Sequence, residues 1–189
     1  PTSKSLCEFI DNNQSITYSV DITGGFNNNK TNILVSDQNT ILNLIKNNNS
    51  NTQWLKFFKT LGQDLGKIIK QSKPSNESLI PSTCINHLKD KETLTVGSSM
   101  PIRDLDRFVS NSINKNITLY SNRGVSGIDG IISTALGITM SNQKNNNFLV
   151  IGDLSFLHDI NGLMLTKRYP FNLTIIVVNN NGGGIFSLL

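Results

Sequence analysis

Oxygen ligands follow two predicted strands of the chain. Asp153 comes directly after the apolar segment Phe148–Gly152, and Asn179-Asn180-Asn181 and three glycines come directly after Leu173–Val178. Carboxylate, amide and backbone carbonyl oxygens are the hard ligands that Mg²⁺ prefers. The turn at Leu154-Ser155 opens a predicted helix, whose first N–H groups favour an anion. These residue types therefore indicate a divalent cation next to an anionic ligand.

The spacing of Asp153 and Asn180 strengthens this interpretation. Taken alone, Asp153 is also consistent with a simple helix cap, and the Asn-Gly run with a polar loop in a chain that contains 27 Asn among 189 residues. The two residues are 27 positions apart (180 − 153), which leaves room for one helix and one strand. A single right-handed crossover then brings both to the same edge of a parallel sheet. There they can share one ion.

Two arginines stand at the turns after two further predicted strands. Arg103 lies in VGSSMPIRD and Arg123 in SNRGVSGIDG, whereas only four of the 17 basic residues of the chain are Arg. Guanidinium groups bind carboxylates through two parallel hydrogen bonds. An ion pair with Asp106 within its own helix is the alternative for Arg103. The pair predicts a ligand that carries carboxylates.

The segments that must position these residues alternate between apolar strands and helices. Strands are predicted at 93–97, 117–120, 148–152 and 173–178, and helices at 101–109, 128–141 and 155–167. This order predicts an α/β fold with a doubly wound parallel sheet, whose ligands bind at the carboxyl ends of the strands. The uniformly apolar third and fourth strands are predicted to be buried on both faces.

Residues 1–92 carry weaker patterns. Strands are predicted around Tyr18 and at 32–36, and helices after Asp37, at 52–71 and at 76–89. The helix at 52–71 has a continuous apolar face, which predicts that it faces a core. Lys73-Pro74-Ser75 marks a boundary. The Asn-rich patches, 145–147 among them, are interpreted as polar loops.

Composition excludes several classes of protein. The net charge of +4 comes from scattered lysines and gives weak support for nucleic-acid binding. Two cysteines make neither a disulfide framework nor a zinc site. No apolar run approaches the ~20 residues of a membrane-spanning helix. Neither a phosphate-binding P-loop nor a GxSxG hydrolase motif is present in the sequence.

Four stretches of the chain resemble one enzyme family: VGSSMPIRDLD, YSNRGVSGIDGIISTALGI, GDLSFLHDINGL and VVNNNGGGIFSLL. Together they are similar to 2-succinyl-5-enolpyruvyl-6-hydroxy-3-cyclohexene-1-carboxylate synthase (MenD), a thiamine diphosphate enzyme of menaquinone and phylloquinone biosynthesis. The resemblance implies a truncated thiamine diphosphate- and Mg²⁺-binding domain at 74–189. It also implies that residues 1–73 are the end of a central domain.

The resemblance assigns roles to individual residues. Asp153, Asn180 and the carbonyl of Gly182 would hold Mg²⁺ (or Mn²⁺), and Leu154 and Ser155 would hold the diphosphate. Ile128 would support the bent cofactor. Substrate contacts would come from Ser99, Arg103, Arg123, Ile185 and Phe186. The implied reaction decarboxylates 2-oxoglutarate and adds the resulting succinic semialdehyde–cofactor adduct to isochorismate.

The family activates its cofactor with a Glu from a separate pyrimidine-binding domain, which this chain lacks. We therefore expect the chain to contain no catalytic residue and to be inactive alone. The resemblance also implies a homodimer or homotetramer, soluble in the cytoplasm or plastid stroma, without nucleic acid or a membrane span. Two alternatives stay open from the sequence: another 2-oxoacid decarboxylase or acetolactate-type synthase, and an inactive remnant domain.

Overall fold

A computed structural model describes residues 4–12, 18–20, 32–34, 39, 52–71, 77–109, 115–123 and 125–187. The chain divides into two compact units, Pro1–Ser72 and Lys73–Leu189. All the predicted site residues belong to the second unit. Among the described residues, no helix is long and apolar enough to cross a membrane.

The first unit contains two helices and a small parallel sheet among its described residues. Helix α1 spans Lys4–Asn12, and strand β1 (Tyr18–Val20) pairs with β2 (Asn32–Leu34). Helix α2 spans Thr52–Gln71, as its spacing predicted. The helix predicted after Asp37 lies outside the described residues, apart from position 39.

The prediction that α2 faces a core is wrong for the described chain. Six side chains of its apolar face are 44–60 % exposed: Trp54, Leu55, Phe58, Leu61, Leu65 and Ile68. Trp54 and Phe58 instead stack on each other, with ring centroids 4.4 Å apart. The apolar spacing therefore predicted the helix correctly, but it did not predict whether other residues cover the apolar face.

The second unit is built on four parallel strands among its described residues. They are β3 (Thr93–Val96), β4 (Thr118–Tyr120), β5 (Asn147–Gly152) and β6 (Leu173–Val178), in the spatial order β4-β3-β5-β6. After β3 the chain forms β4 on one side of β3 and then crosses over to form β5 on the other side. Because the loops after β3 and β5 consequently leave in opposite directions, a crevice opens between them at the carboxyl edge. The predicted doubly wound sheet is confirmed.

Helices cover both faces of this sheet. They are α3 (Ile80–His87), α4 (Met100–Phe108), α5 (Ile131–Ser141) and α6 (Asp153–His158). In β5, Val150 packs in one core with residues of α3 and α4, whereas Leu149 and Ile151 pack in a second core with α5. This alternation follows from the two-residue period of a strand. All three are fully buried, as the apolar run predicted.

The prediction that β6 is buried on both faces is wrong. Of its six residues only Val178 is buried, and Val177 is 39 % exposed. Among the described strands, β6 is an edge strand with β5 as its one neighbour. An apolar run cannot tell an edge strand from a central one, because position in the sheet depends on the other strands.

The helix predicted at 155–167 is interrupted at Asp159. Helix α6 ends at His158, and Ile160–Lys167 forms a 3₁₀ helix. The Asp159 carboxylate accepts hydrogen bonds from the backbone N–H of Ser133 (2.8 Å) and from its hydroxyl (3.1 Å). The first of these bonds satisfies an orphan N–H in the first turn of α5. Asp159 thus links the turn after α6 to the start of α5, and the α-helix predicted at 155–167 does not continue through it.

The Asn patch at 145–147 is not simple loop filler. Asn147 is only 1 % exposed at the start of β5. Its Nδ2 donates to the carbonyls of Asn142 (3.1 Å), Asn145 (2.9 Å) and Asn172 (3.2 Å). Its Oδ1 accepts from Thr93 Oγ1 at 2.6 Å. This amide network closes the amino edge of the sheet, opposite the edge at which ligands bind.

Replacing Asn147 by Asp should strongly destabilise the protein. The new carboxylate would be buried and would face three carbonyl oxygens that now accept from Nδ2. An unpaired buried charge of this kind costs about 3 kcal/mol or more, which corresponds to a melting temperature roughly 6–12 °C lower. Thermal unfolding of N147D and the wild type measures this fall in melting temperature. Asn161→Asp, an exposed position, is the matched control and should leave the melting temperature unchanged.

Candidate functional site

A cavity of about 340 Å³ opens at the carboxyl edge of the sheet. It lies where the loops after all four strands of the second unit converge. Residues from these loops and from the turn before α3 line it: Glu77, Ser98, Ser99, Met100, Pro101, Arg103, Arg123, Ser126, Gly127, Ile128, Gly152, Asp153, Leu154, Ser155, Val178, Asn180, Gly183, Gly184, Ile185 and Phe186. Every predicted site residue except Gly182 is on this wall.

Asp153 links the loops that follow β5 and β6. It is the first residue of α6, and its Oδ1 accepts the N–H of Leu154 at 2.7 Å. Its Oδ2 accepts the N–H of Gly182 at 2.7 Å, across 29 positions of the chain. This second bond places Gly182 beside Asp153, although Gly182 does not line the cavity itself. Each carboxylate oxygen keeps lone-pair capacity for a cation.

The loop after β6 is folded tightly around Asn180. Asn181, Gly182 and Gly183 have φ values of 63°, 84° and 67°, a left-handed conformation that glycine adopts without strain. The Asn179 side chain supports the turn by accepting the N–H of Asn181 at 3.0 Å. Gly182 and Gly183 are therefore favoured by the backbone conformation, and the run is not a generic polar loop.

Arg103 stands in the first turn of α4, where Pro101 suits the helix start. Its Nε is buried without a hydrogen-bond partner among the described residues. A buried guanidinium donor with no partner is costly unless a ligand accepts from it. This observation favours an anion in the cavity, and the alternative of a satisfied intrahelical pair leaves the Nε unexplained.

Arg123 is held against the loop after β3. Its Nη1 donates to the carbonyl of Ser98 at 3.2 Å. Ser98 is itself fixed, because its hydroxyl donates to the carbonyl of Asn122 at 2.9 Å. Ser99 follows at the N-cap position of α4. The structure thus brings both arginines and Ser99 to one wall of the cavity.

Apolar side chains complete the walls. Ile128 is 42 % exposed and lies before α5, since the helix predicted from 128 begins only at Ile131, after a left-handed Gly130 with φ of 65°. Leu154, Ile185 and Phe186 come from the loops after β5 and β6. Phe186 is 74 % exposed. These residues give the crevice apolar surface next to charged groups, as is common in small-molecule sites.

Sequence reasoning missed Glu77. This residue lies in the 3₁₀ turn Glu77–Leu79 that leads into α3, and it borders the cavity. Its Oε1 accepts a hydrogen bond from Asn180 Nδ2 at 2.9 Å. A topological signal was available, because a helix that precedes a strand runs back from the carboxyl edge to the amino edge. The start of α3 must therefore lie near the site.

Asp104 is a second acidic residue behind the site. It is 3 % exposed, and its Oδ1 lacks a hydrogen-bond partner among the described residues. Burial raises the pKa of Asp104 to about 6, with Glu77 adding to the rise and Arg107 opposing it. A small cavity of about 10 Å³ is bordered by both carboxyl groups.

The residues present fit a Mg²⁺-bound diphosphate. Asp153 and Asn180 offer the carboxylate and amide oxygens that this ion prefers, and the Asp153–Gly182 bond joins their two loops. Gly184 lets the backbone of the loop pack against the Asn180 side chain, since a Cβ there would lie 2.6 Å from Asn180 Nδ2. Clusters of three or more His, Cys, Asp and Glu, which would favour a transition metal, are absent from the described residues.

Comparison with known proteins agrees with this geometry. Residues 100–187 match the family described as thiamine pyrophosphate enzyme, C-terminal TPP binding domain. The chain is 40 % identical over 167 residues to a 2-succinyl-5-enolpyruvyl-6-hydroxy-3-cyclohexene-1-carboxylate synthase of Listeria innocua, an alignment that covers 84 % of the chain and 28 % of the relative.

Two further synthases of the same name are similar. The one from Listeria monocytogenes is 56 % identical over 102 residues, covering 54 % of this chain and 17 % of its own length. The one from Lysinibacillus sphaericus is 47 % identical over 114 residues, covering 60 % of this chain and 20 % of its own length. The chain thus aligns with 17–28 % of the length of these relatives. The chain is therefore similar to part of these synthases, and its residues 100–187 match the C-terminal domain of the thiamine pyrophosphate enzymes.

Proposed function

We propose that this chain supplies the diphosphate- and metal-binding half of the active site of a thiamine diphosphate- and Mg²⁺-dependent synthase in menaquinone or phylloquinone biosynthesis. The synthase decarboxylates 2-oxoglutarate and joins the remaining four-carbon unit to isochorismate. The observation that carries the proposal is the single cavity wall on which Asp153 and Asn180 meet Arg103 and Arg123. When bound, thiamine diphosphate supplies the carbanion chemistry.

The proposed roles of the residues are those that the family resemblance implies, and their positions around the cavity support them. Asp153, Asn180 and the carbonyl of Gly182 hold Mg²⁺. Leu154 and Ser155 face the diphosphate at the start of α6, and Ile128 supports the cofactor. The dicarboxylate substrates are bound by Ser99, Arg103 and Arg123, next to Ile185 and Phe186.

The chain acts as part of a larger assembly in this proposal. The Glu that activates the cofactor comes from a pyrimidine-binding domain outside this chain, in a homodimer or homotetramer. The cavity wall described here then binds and orients the reactants and supplies charge complementarity. This chain alone should accordingly be inactive.

An assay with the full-length protein tests the proposal. With thiamine diphosphate and Mg²⁺, it should consume 2-oxoglutarate and isochorismate and release CO₂ in equal amounts. Pyruvate as donor, or a simple aldehyde as acceptor, should be used at least about 100-fold less efficiently, because neither satisfies both arginines. Preference for pyruvate would instead indicate an acetolactate-type synthase or another 2-oxoacid decarboxylase. Inactivity with every pair would indicate a remnant domain.

A further inference from the structure

The Glu77–Asn180 hydrogen bond joins parts of the chain that are 103 positions apart. Asn180 donates from Nδ2, and Glu77 accepts through Oε1 at 2.9 Å. Both residues are half-buried, so the bond is partly shielded from water. Since Asn180 is a proposed metal ligand, its amide orientation matters for the site.

The nitrogen end of the Asn180 amide is also enclosed by its own loop. A Cβ placed on Gly184 would lie 2.6 Å from Asn180 Nδ2 and 3.2 Å from Asn180 Cγ. The backbone of Gly184 therefore packs directly against the amide. Glu77 and Gly184 leave the amide little freedom to rotate.

A carboxylate determines which end of an amide faces it. An ionised carboxylate only accepts hydrogen bonds, so the end of the Asn180 amide that meets Glu77 must be the NH₂ group. The oxygen then points away from Glu77 and is available to a cation. A flipped amide would present its NH₂ group, which is not a ligand for Mg²⁺.

We propose that Glu77 is a positioning residue that fixes the Asn180 amide with its oxygen toward the metal. This inference rests on the proposed function, because it assumes that Asn180 binds the ion. The hydrogen bond to a carboxylate also polarises the amide and makes its oxygen a better ligand. Partners of this kind typically contribute about 10–100-fold in metal affinity.

The test is a Mn²⁺ titration of the full-length protein at saturating thiamine diphosphate, followed by electron paramagnetic resonance. Mn²⁺ replaces Mg²⁺ and reports binding without any assay of activity. Glu77→Ala should weaken Mn²⁺ binding about 10–100-fold. Glu77→Gln keeps an acceptor oxygen and should lose less Mn²⁺ affinity. Glu77→Asp keeps the charge but shortens the side chain, so it should lose nearly as much Mn²⁺ affinity as Glu77→Ala.

Glu92→Gln is the matched control. Glu92 also accepts a hydrogen bond from an Asn amide, Asn146 Nδ2 at 2.6 Å, but at the amino edge of the sheet. Its replacement by Gln keeps an acceptor oxygen, as Glu77→Gln does, and weakens an equivalent Glu–Asn pair without touching the site. E92Q should bind Mn²⁺ like the wild type. An equal loss of Mn²⁺ affinity in E92Q and E77Q would overturn the proposal, since it would show a general effect of destabilisation.

The remaining outcomes separate this inference from the proposed function. Wild-type Mn²⁺ affinity in E77A, together with lost affinity in Asn180→Ala, would refute the role of Glu77 and leave the metal site intact. Wild-type affinity in Asn180→Ala and Asp153→Ala would refute the metal site itself. If E77A does not fold, wild-type affinity in both E77Q and E77D would overturn the proposal.

Discussion

Replacing Asp153 by Ala is expected to lower the Mg²⁺-dependent affinity of the full-length protein for thiamine diphosphate by more than about 100-fold. The carboxylate is the one anionic side chain among the three proposed metal ligands. Its removal also leaves the N–H groups of Leu154 and Gly182 without the acceptor that each has at 2.7 Å. The site would thus lose its ligand and the bond that joins its two loops.

Asp153→Asn separates these two contributions. An amide has one acceptor oxygen, whereas the structure requires two, one for each backbone N–H. One N–H would therefore face an NH₂ group, and D153N should still bind the cofactor at least about 10-fold more weakly. Calorimetric titration of thiamine diphosphate with and without Mg²⁺ measures both variants.

Asp90→Asn is the control for Asp153. Asp90 also accepts a backbone N–H, that of Asn116 at 3.1 Å, but before β3 at the amino edge of the sheet. Its replacement should leave cofactor affinity unchanged. Equal affinity in wild type, D153A and D90N would show that the cation and diphosphate bind elsewhere.

The residues at the carboxyl edge of the sheet were largely predictable from the sequence. Four short strands and the helices between them follow from local patterns of apolar residues. Because β5 and β6 are parallel neighbours, Asp153 and Asn180 must leave the sheet at the same edge. The edge of the sheet at which a loop lies can therefore be predicted without knowing how the side chains pack.

Long-range contacts were not predictable in this way. The topology places the start of α3 near the site, but no sequence pattern around Glu77 indicates its bond to Asn180, which spans 103 positions. Asn147 stands in a run of three Asn that looks uniform in sequence, yet it is buried, whereas Asn146 is exposed. What distinguishes these residues is the surroundings that the folded chain builds around them.

The interruption at Asp159 has the same origin. The apolar pattern of 155–167 is compatible with one helix, and the competing bonds, which Ser133 donates to the Asp159 carboxylate, come from another element. The exposed face of α2 illustrates the converse, since its pattern predicted a covered face. Local periodicity thus predicts elements well and their tertiary partners poorly.

Arg103→Ala should lower kcat/KM for the proposed dicarboxylate substrates by at least about 100-fold while leaving cofactor affinity unchanged. Hydrogen bonds to charged groups contribute about 1.5–3 kcal/mol each, and two of them at the lower end of this range account for roughly a factor of 100. The cavity wall holds two carboxylates and two guanidinium groups among its charged residues. The Asp153 carboxylate is engaged by backbone N–H groups, and the Glu77 carboxylate by Asn180. The arginines are consequently the groups left to bind an anion.

The unpartnered Nε distinguishes Arg103 from Arg123, whose Nη1 is already directed at Ser98. Arg103 should therefore contribute more to substrate selection, and R103A should lose most of its preference for 2-oxoglutarate over pyruvate. Arg103→Lys keeps the charge without the planar fork, so it should recover only part of the loss. Steady-state kinetics with each donor at saturating isochorismate, and the reverse, show which substrate Arg103 binds.

Arg107→Ala is the matched control, because Arg107 lies one turn further along α4 and is exposed. R107A should have wild-type kcat/KM for both substrates. Equal KM values for 2-oxoglutarate and isochorismate in R103A and wild type would contradict the assignment. In that case the buried Nε would destabilise the fold without binding a substrate. Arg123 and groups outside this chain would then select dicarboxylates. A buried donor that the fold leaves unsatisfied is thus the sharpest indication of the ligand's charge at this site.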